Sequence, residues 1–350
     1  MKCPICSNIS VLVYEFTDFP LHLPPSKSKS INLSNLEVYQ CKSCDFLFNS
    51  YKDLEFYDNL YKNQISYVKP KLKSDWTKII NERNYKNILE IGGGINSIAK
   101  FIPSSIKITI VDPSISDYLL SYENVQCFKG TLNNYLDDLK EKNIKLDFDA
   151  IFMSHTLEHI PNPKELIDII SSNEIFNKSE LLIELPNILQ YSKSIPFYTF
   201  FFEHCSLFTP LSLYNLMKGF SYKLISSPNL RTNTGDSMYI YKPFNALINQ
   251  TNISPESNLI ISYFNSNIKD IVDSFIEKIF SMNSLVVHLP YSGGGSTSLF
   301  LYYLSKVNRK ALDKLYLSDN LFSGYYVSST GQLINEKPDF DLPIIKIIDK

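Results

Sequence analysis

Residues 86–97 read KNILEIGGGINS, and this stretch decides the fold of the central part of the 350-residue chain. Its first six residues include the apolar residues Ile88, Leu89 and Ile91 and predict a buried strand. Three glycines follow at once, where the backbone can approach a ligand closely and a following helix can offer free N–H groups. A dinucleotide fold would have G-x-G-x-x-G, but Ser97 occupies the third glycine position. The stretch therefore predicts a strand, a ligand-binding turn and a helix.

Two acidic residues near this turn indicate what it binds. Glu90 lies two residues before the first glycine, and a carboxylate there suits a cation such as the amino group of S-adenosylmethionine better than a pyrophosphate. Asp112 ends the next predicted strand, twenty residues after Gly92, where a carboxylate can hold both hydroxyls of a ribose. A plain tight turn is the alternative, and the pairing of the turn with Asp112 argues against it. We expect an adenosyl cofactor at this place.

Predicted strands and helices alternate beyond the turn. We predict strands at residues 106–111, 125–128, 148–153, 180–185 and 236–243, and helices at residues 132–141 and 164–172. A preceding helix is predicted to be capped by Ser74 and to continue to about Asn84. Continuous apolar strands separated by helices are typical of an α/β domain in which helices cover both faces of a parallel sheet.

Composition and charge limit the functions of the chain. Apolar residues make up 44% and charged residues 20%, which excludes a disordered chain. The 34 basic and 36 acidic residues give a net charge of −2, which argues against a nucleic-acid-binding surface. No apolar run has the roughly 20 residues that a bilayer span needs, and the first residues lack the apolar core of a signal peptide. We expect a cytoplasmic protein with reduced cysteines.

Two C-x-x-C pairs near the start of the sequence predict a structural zinc site. Four thiolates at this spacing can surround a tetrahedral zinc ion and leave no open coordination position. The predicted ligands are Cys3, Cys6, Cys41 and Cys44. Redox dithiols and a chance repeat of the spacing are the alternatives. His22 lies between the pairs and is either a replacement for one cysteine or an exposed loop residue.

Titratable residues that are candidates for the active site lie at two further places in the sequence. His155 and His159 lie in MSHTLEHIPNP, residues 153–163, where open α/β sheets bind ligands; packing or helix capping is the alternative. Glu203 and His204 are embedded in the aromatic run FYTFFFEHCSLFTP. A carboxylate and an imidazole in an apolar pocket suit general-base catalysis, whereas a surface pair beside a buried segment is the alternative.

The last part of the chain predicts a second, smaller α/β unit. A helical pattern covers residues 257–280, with a stripe of apolar residues that includes Leu259. A strand, a glycine loop at residues 292–296, a helix and a strand at residues 314–319 follow. The glycine loop is a hypothetical site for the nucleotide of an acceptor, because N–H groups at a helix start can face a diphosphate. A tight strand–helix connection is the alternative.

Together these motifs resemble one family, the three-module methyltransferases that C-methylate nucleotide-linked deoxysugars. Members share two N-terminal C-x-x-C pairs, and their E-H-x-S-x-F element is matched here by EHCSLF at residues 203–208. Residues 317–334 are similar to an element of their last lobe. The resemblance implies a class I methyltransferase Rossmann-like parallel sheet at residues 67–250. A zinc-binding module at residues 1–66 would precede it, and a Rossmann-like acceptor-binding lobe at residues 251–350 would follow.

The resemblance implies an S-adenosylmethionine-dependent C-methyltransferase of a nucleotide sugar. O- or N-methylation of a related glycan precursor and an inactive binding protein with this fold are the alternatives. Glu203 and His204 would serve the sugar site, with His204 as base and His159 as a further catalytic candidate. Expected cofactor contacts are Glu90, Gly92, Gly94, Asp112, Met153, Ser154 and His155. Phe201 stands where the family has tyrosine, so either Tyr198 replaces that phenol or the acceptor atom is not a ketosugar carbon.

Overall fold

The computed structural model describes most of the chain. The described residues are 1–21, 23–29, 31–51, 70–94, 96–220, 222–227, 235–244, 255–282, 286–290, 295–338, 342–345 and 347. His22, the expected module boundaries near residues 66 and 250, and most of the glycine loop at residues 292–296 lie outside these ranges. The predictions that concern them stay predictions.

A seven-stranded sheet forms the centre of the molecule. Its strands are β4 (Asn87–Ile91), β5 (Lys107–Asp112), β6 (Val125–Lys129), β7 (Ala150–Ser154), β8 (Glu180–Pro186), β10 (Tyr222–Ser226) and β11 (Asp236–Pro243). They lie in the order β10-β11-β8-β7-β4-β5-β6. Strands β4 to β8 are parallel, whereas β11 pairs antiparallel with β8 and β10 antiparallel with β11. The predicted α/β fold with a central parallel sheet is confirmed, with the correction that β10 and β11 join this sheet in antiparallel orientation.

Helices pack on both faces of this sheet. They are α1 (Pro70–Glu82), α2 (Leu132–Glu141), α3 (Pro163–Ser172) and α5 (Pro210–Met217), whereas α4 (Ile188–Ser194) packs in the core of the N-terminal and C-terminal parts of the chain. Neighbouring side chains of β4 point to opposite faces: Ile88 packs with Trp76 of α1, and Leu89 packs in a core that α2, α3 and α5 share. The prediction that Ser74 caps the first helix is wrong, because Ser74 lies inside α1.

The N-terminal residues form a small antiparallel sheet. Its strands are β1 (Val11–Pro20), β2 (Leu33–Gln40), β3 (Leu47–Asn49) and β9 (Ser206–Leu207), in that order. Strand β9 follows the Glu203–His204 pair in sequence and pairs with β3. The N-terminal sheet is therefore joined to the segment in which the sequence predicts catalytic residues.

The C-terminal residues form a second α/β unit. Its elements are α6 (Ser257–Ser281), β12 (Val287–Pro290), α7 (Gly295–Val307), α8 (Arg309–Asp313) and β13 (Leu315–Ser318), with β12 parallel to β13. Helix α6 buries Phe264, Phe275 and Ile279, but Leu259 is 47% exposed. The prediction that Leu259 belongs to the buried apolar stripe of this helix is therefore wrong. Among the described helices, none combines the length and apolar composition that crossing a membrane requires.

The N-terminal and C-terminal parts share one apolar core. The rings of Phe19 and Tyr302 pack with centroids 4.8 Å apart, and the Tyr302 hydroxyl donates to the carbonyl of Thr17 over 2.9 Å. The Tyr14 hydroxyl donates to Asn265 Oδ1 over 2.9 Å. Strands from the start of the chain and helices from its end therefore stabilise one another.

Candidate active site

The glycine turn after β4 is packed too closely for any side chain. Gly92 has φ +80°, and a Cβ there would overlap the side chain of Thr156. A Cβ on Gly94 would lie 2.5 Å from both Asp112 Oδ1 and the carbonyl oxygen of Ser114. Glycine is therefore required at both positions, because the turn lies directly against the segments that follow β5 and β7.

Glu90 lies beneath this turn and is 1% exposed. Its carboxylate accepts a hydrogen bond from the Ser97 hydroxyl and another from the Ile98 amide, 2.9 Å away. A Cβ on Gly93 would lie 2.5 Å from the carboxyl carbon of Glu90. The sequence predicts that Glu90 faces the amino group of a cofactor; the structure places the carboxylate where it fixes the conformation of the turn.

Asp112 ends β5 beside the turn, as predicted. Its Oδ2 accepts from the Gly94 amide over 3.0 Å, and its Oδ1 accepts from the Ser114 amide. Burial raises the pKa of Asp112, and these two amide donors act against that rise. The turn and Asp112 lie at the carboxyl ends of two neighbouring parallel strands, which is where such sheets bind nucleotides. These residues fit the ribose of an adenosyl group.

The end of β7 differs from the prediction at one residue. The side chain of Met153 is fully buried in the core, so it does not line an open cofactor site. The Ser154 hydroxyl donates to Glu184 Oε2 over 2.6 Å, and Trp76 Nε1 donates to the same oxygen over 3.1 Å. Sequence reasoning missed Glu184 and Trp76, because the pairing of β8 with β7 and the packing of α1 on the sheet bring them beside Ser154.

His155 lies among carboxylates just beyond β7. Its backbone has φ +52°, and its Nδ1 lies 3.2 Å from Glu158 Oε1 while its Nε2 lies 4.0 Å from Asp236 Oδ2. Burial lowers the pKa of His155, but the hydrogen bond to Glu158 and the charges of Glu158, Asp236 and Glu184 raise it to about 9. His155 is therefore an imidazolium at neutral pH. Its carboxylate partners were not predicted.

The segments around His159 and Glu203 are bound to each other, although 44 positions separate these residues. His159 Nδ1 lies 2.8 Å from the carbonyl oxygen of Glu203; since a carbonyl only accepts, His159 Nδ1 carries the proton. The Ser206 hydroxyl donates to the carbonyl of Ile160 over 2.7 Å. The two predicted clusters of catalytic residues thus form one site.

His204 lies inside an aromatic enclosure at this site. It is 6% exposed, and its ring centroid lies 4.1 Å from that of Phe201, 4.9 Å from that of His159 and 6.0 Å from that of Tyr198. Burial, together with the charges of His159 and His155, holds the pKa of His204 well below its usual range. The imidazole is therefore neutral at pH 7 and can accept a proton.

Asn49, a residue of the N-terminal sheet, fixes the backbone around His204. Its Nδ2 lies 3.0 Å from the carbonyl oxygen of Phe201, 3.2 Å from that of Phe202 and 3.2 Å from that of His204. The Asn49 side chain is buried together with these carbonyls. No local sequence signal singles out this asparagine, because its partners are about 150 positions away in sequence.

Residues 63–227, which include the glycine turn, Asp112 and His204, match a family model described as "Methyltransferase domain". The matched region is a class I S-adenosylmethionine-dependent methyltransferase domain. No curated protein matches the chain.

Several solved structures are similar to this methyltransferase domain. The small RNA methyltransferase HEN1 is 17% identical over 53% of this chain, with a TM-score of 0.34, and the match covers 27% of HEN1. A second structure is the 1,6-didemethyltoxoflavin-N1-methyltransferase of Burkholderia thailandensis with bound 1,6-didemethyltoxoflavin and S-adenosylhomocysteine. Its sequence is 10% identical to this chain, the match covers 60% of this chain and 96% of that protein, and the TM-score is 0.40. A third structure is the N-terminal domain of EvdMO1 in the presence of SAH and D-fucose. Its sequence is 12% identical to this chain, the match covers 56% of this chain and 98% of that domain, and the TM-score is 0.33.

The four paired cysteines meet beside the methyltransferase domain. All are free thiols; the sulfurs of Cys3 and Cys44 lie 3.5 Å apart, and those of Cys6 and Cys41 lie 3.4 Å apart. Ligands 2.3 Å from a tetrahedral zinc ion lie about 3.8 Å from one another. The four sulfurs, all within 4.8 Å of one another, fit such an ion.

Proposed function

We propose that this protein methylates a small-molecule acceptor with S-adenosylmethionine, and that the acceptor is a nucleotide-linked sugar methylated at carbon. One observation carries the proposal. The carboxyl edge of the sheet holds Asp112, a carboxylate suited to a ribose, and the loops at this edge enclose His204, a buried neutral imidazole. The EHCSLF element around His204, which resembles that of sugar C-methyltransferases, supports the choice of acceptor.

Asp112 and the glycine turn would hold the adenosyl group. Asp112 would accept from the ribose hydroxyls, and the absence of side chains at Gly92 and Gly94 lets the backbone lie close to the cofactor. When bound, S-adenosylmethionine supplies a methyl group that its sulfonium already makes electrophilic. The protein therefore contributes mainly the position of the acceptor and a base.

His204 is the proposed base. For methylation at carbon it would take a proton from the atom adjacent to a carbonyl of the acceptor, with Glu203 orienting the imidazole. Packing against Phe201 and the hydrogen bonds of Asn49 to the surrounding backbone hold His204 in place. His159, whose protonated Nδ1 faces the carbonyl of Glu203, lies beside it and is the second candidate.

Three parts of the chain meet where we place the acceptor. A Cβ on Gly295, the first residue of α7, would lie 2.8 Å from the ring of Tyr198 and 2.7 Å from the side chain of Leu23. Tyr198 in turn packs against Phe201, with ring centroids 4.4 Å apart. This contact supports placing the nucleotide of the acceptor toward the start of α7.

We further propose that Cys3, Cys6, Cys41 and Cys44 bind one zinc ion. The distances between their sulfurs support the proposal, because they approach those of a tetrahedral four-thiolate site. Such an ion has no open coordination position, so its role would be to stabilise the N-terminal sheet.

Methylation at oxygen or nitrogen is the second candidate function, and Phe201 favours it. Phe201 lies against His204 at the place where the family that this chain resembles has a phenol. Unless the hydroxyl of Tyr198, whose ring centroid lies 6.0 Å from that of His204, replaces that phenol, no tyrosine assists removal of a proton from carbon. In this case His204 would deprotonate a hydroxyl or an amine of the acceptor.

The test is methyl transfer to a panel of sugar nucleotides, followed by mass spectrometry with isotopically labelled cofactor. We expect His204→Ala and His204→Gln to lose about 10²–10⁴-fold in rate, the usual contribution of a general base, while they bind S-adenosylhomocysteine like the wild type. Full activity of both variants would reject the base. Cofactor binding without transfer to any member of the panel would favour a binding protein.

Solvent exchange at the acceptor distinguishes the two chemistries. For C-methylation, deuterium at the carbon adjacent to the carbonyl should exchange with water, and the exchange should require His204. Methyl transfer that depends on His204 but proceeds without exchange would assign the methyl group to oxygen or nitrogen.

A further inference from the structure

We propose that Glu158 is a positioning residue for His204: its carboxylate holds the proton of the neutral imidazole on Nδ1 and leaves the lone pair of Nε2 for the acceptor. One carboxylate oxygen of Glu158 and one ring nitrogen of His204 lie within 4.8 Å of each other. Glu158 belongs to a short helical turn after β7, whereas Glu203 adjoins His204 in sequence. The inference rests on the proposed function and adds a second carboxylate to the Glu203–His204 pair.

The two side chains carry buried polar atoms that lack a partner. Glu158 is 2% exposed and His204 is 6% exposed. Neither Glu158 Oε2 nor His204 Nδ1 has a hydrogen-bond partner among the described residues. Buried polar atoms are nearly always satisfied, so such exceptions require an explanation. A movement of less than about 2 Å brings a nitrogen and an oxygen from this separation to hydrogen-bond distance, and catalytic hydrogen bonds often tighten only in the reacting complex.

The surrounding hydrogen bonds fix Glu158 between the cofactor turn and the acceptor segment. The Thr156 hydroxyl donates to the carbonyl of Ile91 over 3.0 Å, which holds the chain before Glu158 against the glycine turn. Cys205 Sγ donates to the carbonyl of Glu158 over 3.6 Å. His155 Nδ1 lies 3.2 Å from Glu158 Oε1, which leaves Oε2 of that carboxylate for a second donor.

A carboxylate at this place also stabilises the base after it has reacted. The proton of the acceptor passes to Nε2 of His204, and the ring becomes an imidazolium. Burial and the charges of His159 and His155 oppose a positive charge on this ring. An opposite charge within about 4–6 Å favours the charged form of a group. Glu158 therefore offsets part of the cost of protonating His204.

Other titratable groups around this contact are less suited to the role. Burial raises the pKa of Cys205 to about 12 and the pKa values of Tyr191 and Tyr198 well above their usual value. These three groups are therefore uncharged at neutral pH. Asp236 Oδ1 accepts from the Tyr191 hydroxyl over 2.7 Å, and Glu184 Oε2 has two donors. These two carboxylates are thus engaged elsewhere, whereas the turn after β7 offers an unpartnered oxygen.

The test is ¹⁵N NMR of the histidines of the full chain at neutral pH, where the spectrum of each ring shows which nitrogen carries the proton. His204→Gln identifies the His204 signals by their loss. We expect the Nδ1–H form of His204 in the wild type, and we expect Glu158→Gln to shift the ring toward the Nε2–H form that free histidine favours. Glu165→Gln is the matched control, because Glu165 is an exposed carboxylate of α3; it should keep the wild-type form.

Kinetics give a second readout. Glu158→Gln should lower kcat for methyl transfer about tenfold or more, because a catalytic histidine in the wrong tautomer is a poor base. The KM for S-adenosylmethionine and the affinity for S-adenosylhomocysteine should stay at the wild-type values. Glu158→Asp keeps the carboxylate and should recover part of the lost kcat. A merely structural role of Glu158 would instead lower the Tm and leave the tautomer of His204 unchanged.

Two NMR results would overturn the proposal: the Nε2–H form of His204 in the wild type, and equal His204 spectra in the wild type and Glu158→Gln. If Glu158→Gln does not fold, Glu158→Asp decides. Its shorter side chain moves the carboxylate away from the ring and should raise the fraction of the Nε2–H form, and an unchanged fraction rejects the proposal. This readout needs no acceptor. Full methyl transfer by His204→Gln would therefore reject the base of the proposed function and leave the contact between Glu158 and His204 in place.

Discussion

At the scale of single residues, cofactor binding depends on the close packing around Gly94 as well as on the charge of Asp112. A Cβ on Gly94 would lie 2.5 Å from Asp112 Oδ1, so any side chain there must displace the carboxylate that we assign to the ribose. We expect Gly94→Ala to weaken binding of S-adenosylhomocysteine at least tenfold in calorimetry. Gly219→Ala is the matched control, because a Cβ there meets nothing within 4 Å. Equal effects of both variants would contradict this explanation.

The charge of Asp112 predicts that the affinity for S-adenosylhomocysteine depends on pH. Burial raises the pKa of Asp112 despite its two amide donors, so the carboxylate gains its proton at a higher pH than an exposed aspartate does. A protonated Asp112 no longer offers two good acceptors to the ribose. Affinity for S-adenosylhomocysteine should therefore be full at neutral pH and fall as the pH drops through the raised pKa. Asp112→Asn should show lower affinity without this acid dependence; an unchanged acid profile in that variant would argue against Asp112.

Residues at the ends of strands could be predicted from the sequence, whereas their partners could not. The sequence predicts Asp112 and His155 as site residues because each follows a continuous apolar run, and such runs end at one edge of a parallel sheet. The contact of His155 with Asp236 was not predicted, because it depends on the antiparallel addition of β11 to the sheet. The burial of Met153 was missed because alternation within a strand decides which residue faces outward.

At the scale of elements, local sequence signals predict where some helices and strands begin but not where others do. Helix α2 begins at the predicted residue, since Thr131 accepts from the Asn134 amide and caps it. Helix α1 does not begin at Ser74, although serine is a common cap. The two-residue strand β9 carries no periodicity that could predict it, and its pairing with β3 brings Asn49 to the active site. This contact between distant parts of the chain required the structure.

The hydrogen bonds of Asn49, a residue of β3, predict that this side chain positions His204. Asn49→Ala leaves three carbonyls around His204 without their shared donor. Because misplacement of a catalytic group by about 1 Å can cost about 10²-fold, we expect kcat to fall by that order. The KM for S-adenosylmethionine and the zinc content should be unchanged. Asn124→Ala removes a similar bond to a carbonyl, that of Ile106, and should retain kcat. Equal loss in both variants would indicate only general destabilisation.

At the scale of the whole molecule, the cysteine cluster is connected to the C-terminal unit. Asp45, the residue after Cys44, accepts from the amides of Glu256 and Ser257 over 2.6 and 3.0 Å. It thus caps α6, whose apolar face belongs to the core that the N-terminal strands share. Loss of order at the cysteines should therefore extend to helices more than 200 positions away in sequence.

This connection predicts how metal loss affects stability. We expect one zinc ion per chain in elemental analysis, and we expect chelation or Cys41→Ser to lower the Tm of one cooperative transition of the whole chain. Loss of a structural zinc removes folding free energy directly. Cys127→Ser is the matched control, since Cys127 lies on β6 outside the cluster; it should keep zinc and the wild-type Tm within a few degrees. A fully folded wild type without metal, or a separate transition for the first 50 residues alone, would contradict the prediction.

Calorimetric titration with S-adenosylhomocysteine tests most directly the claim that the glycine turn and Asp112 form the cofactor site of a methyltransferase. We expect one site per chain in the wild type and the same affinity in His204→Gln, because His204 serves the acceptor. Asp112→Ala should lose about 1.5–3 kcal/mol for each hydrogen bond to a charged acceptor, which is about tenfold or more in affinity. No binding to the wild type, or unchanged affinity in Asp112→Ala, would contradict this claim.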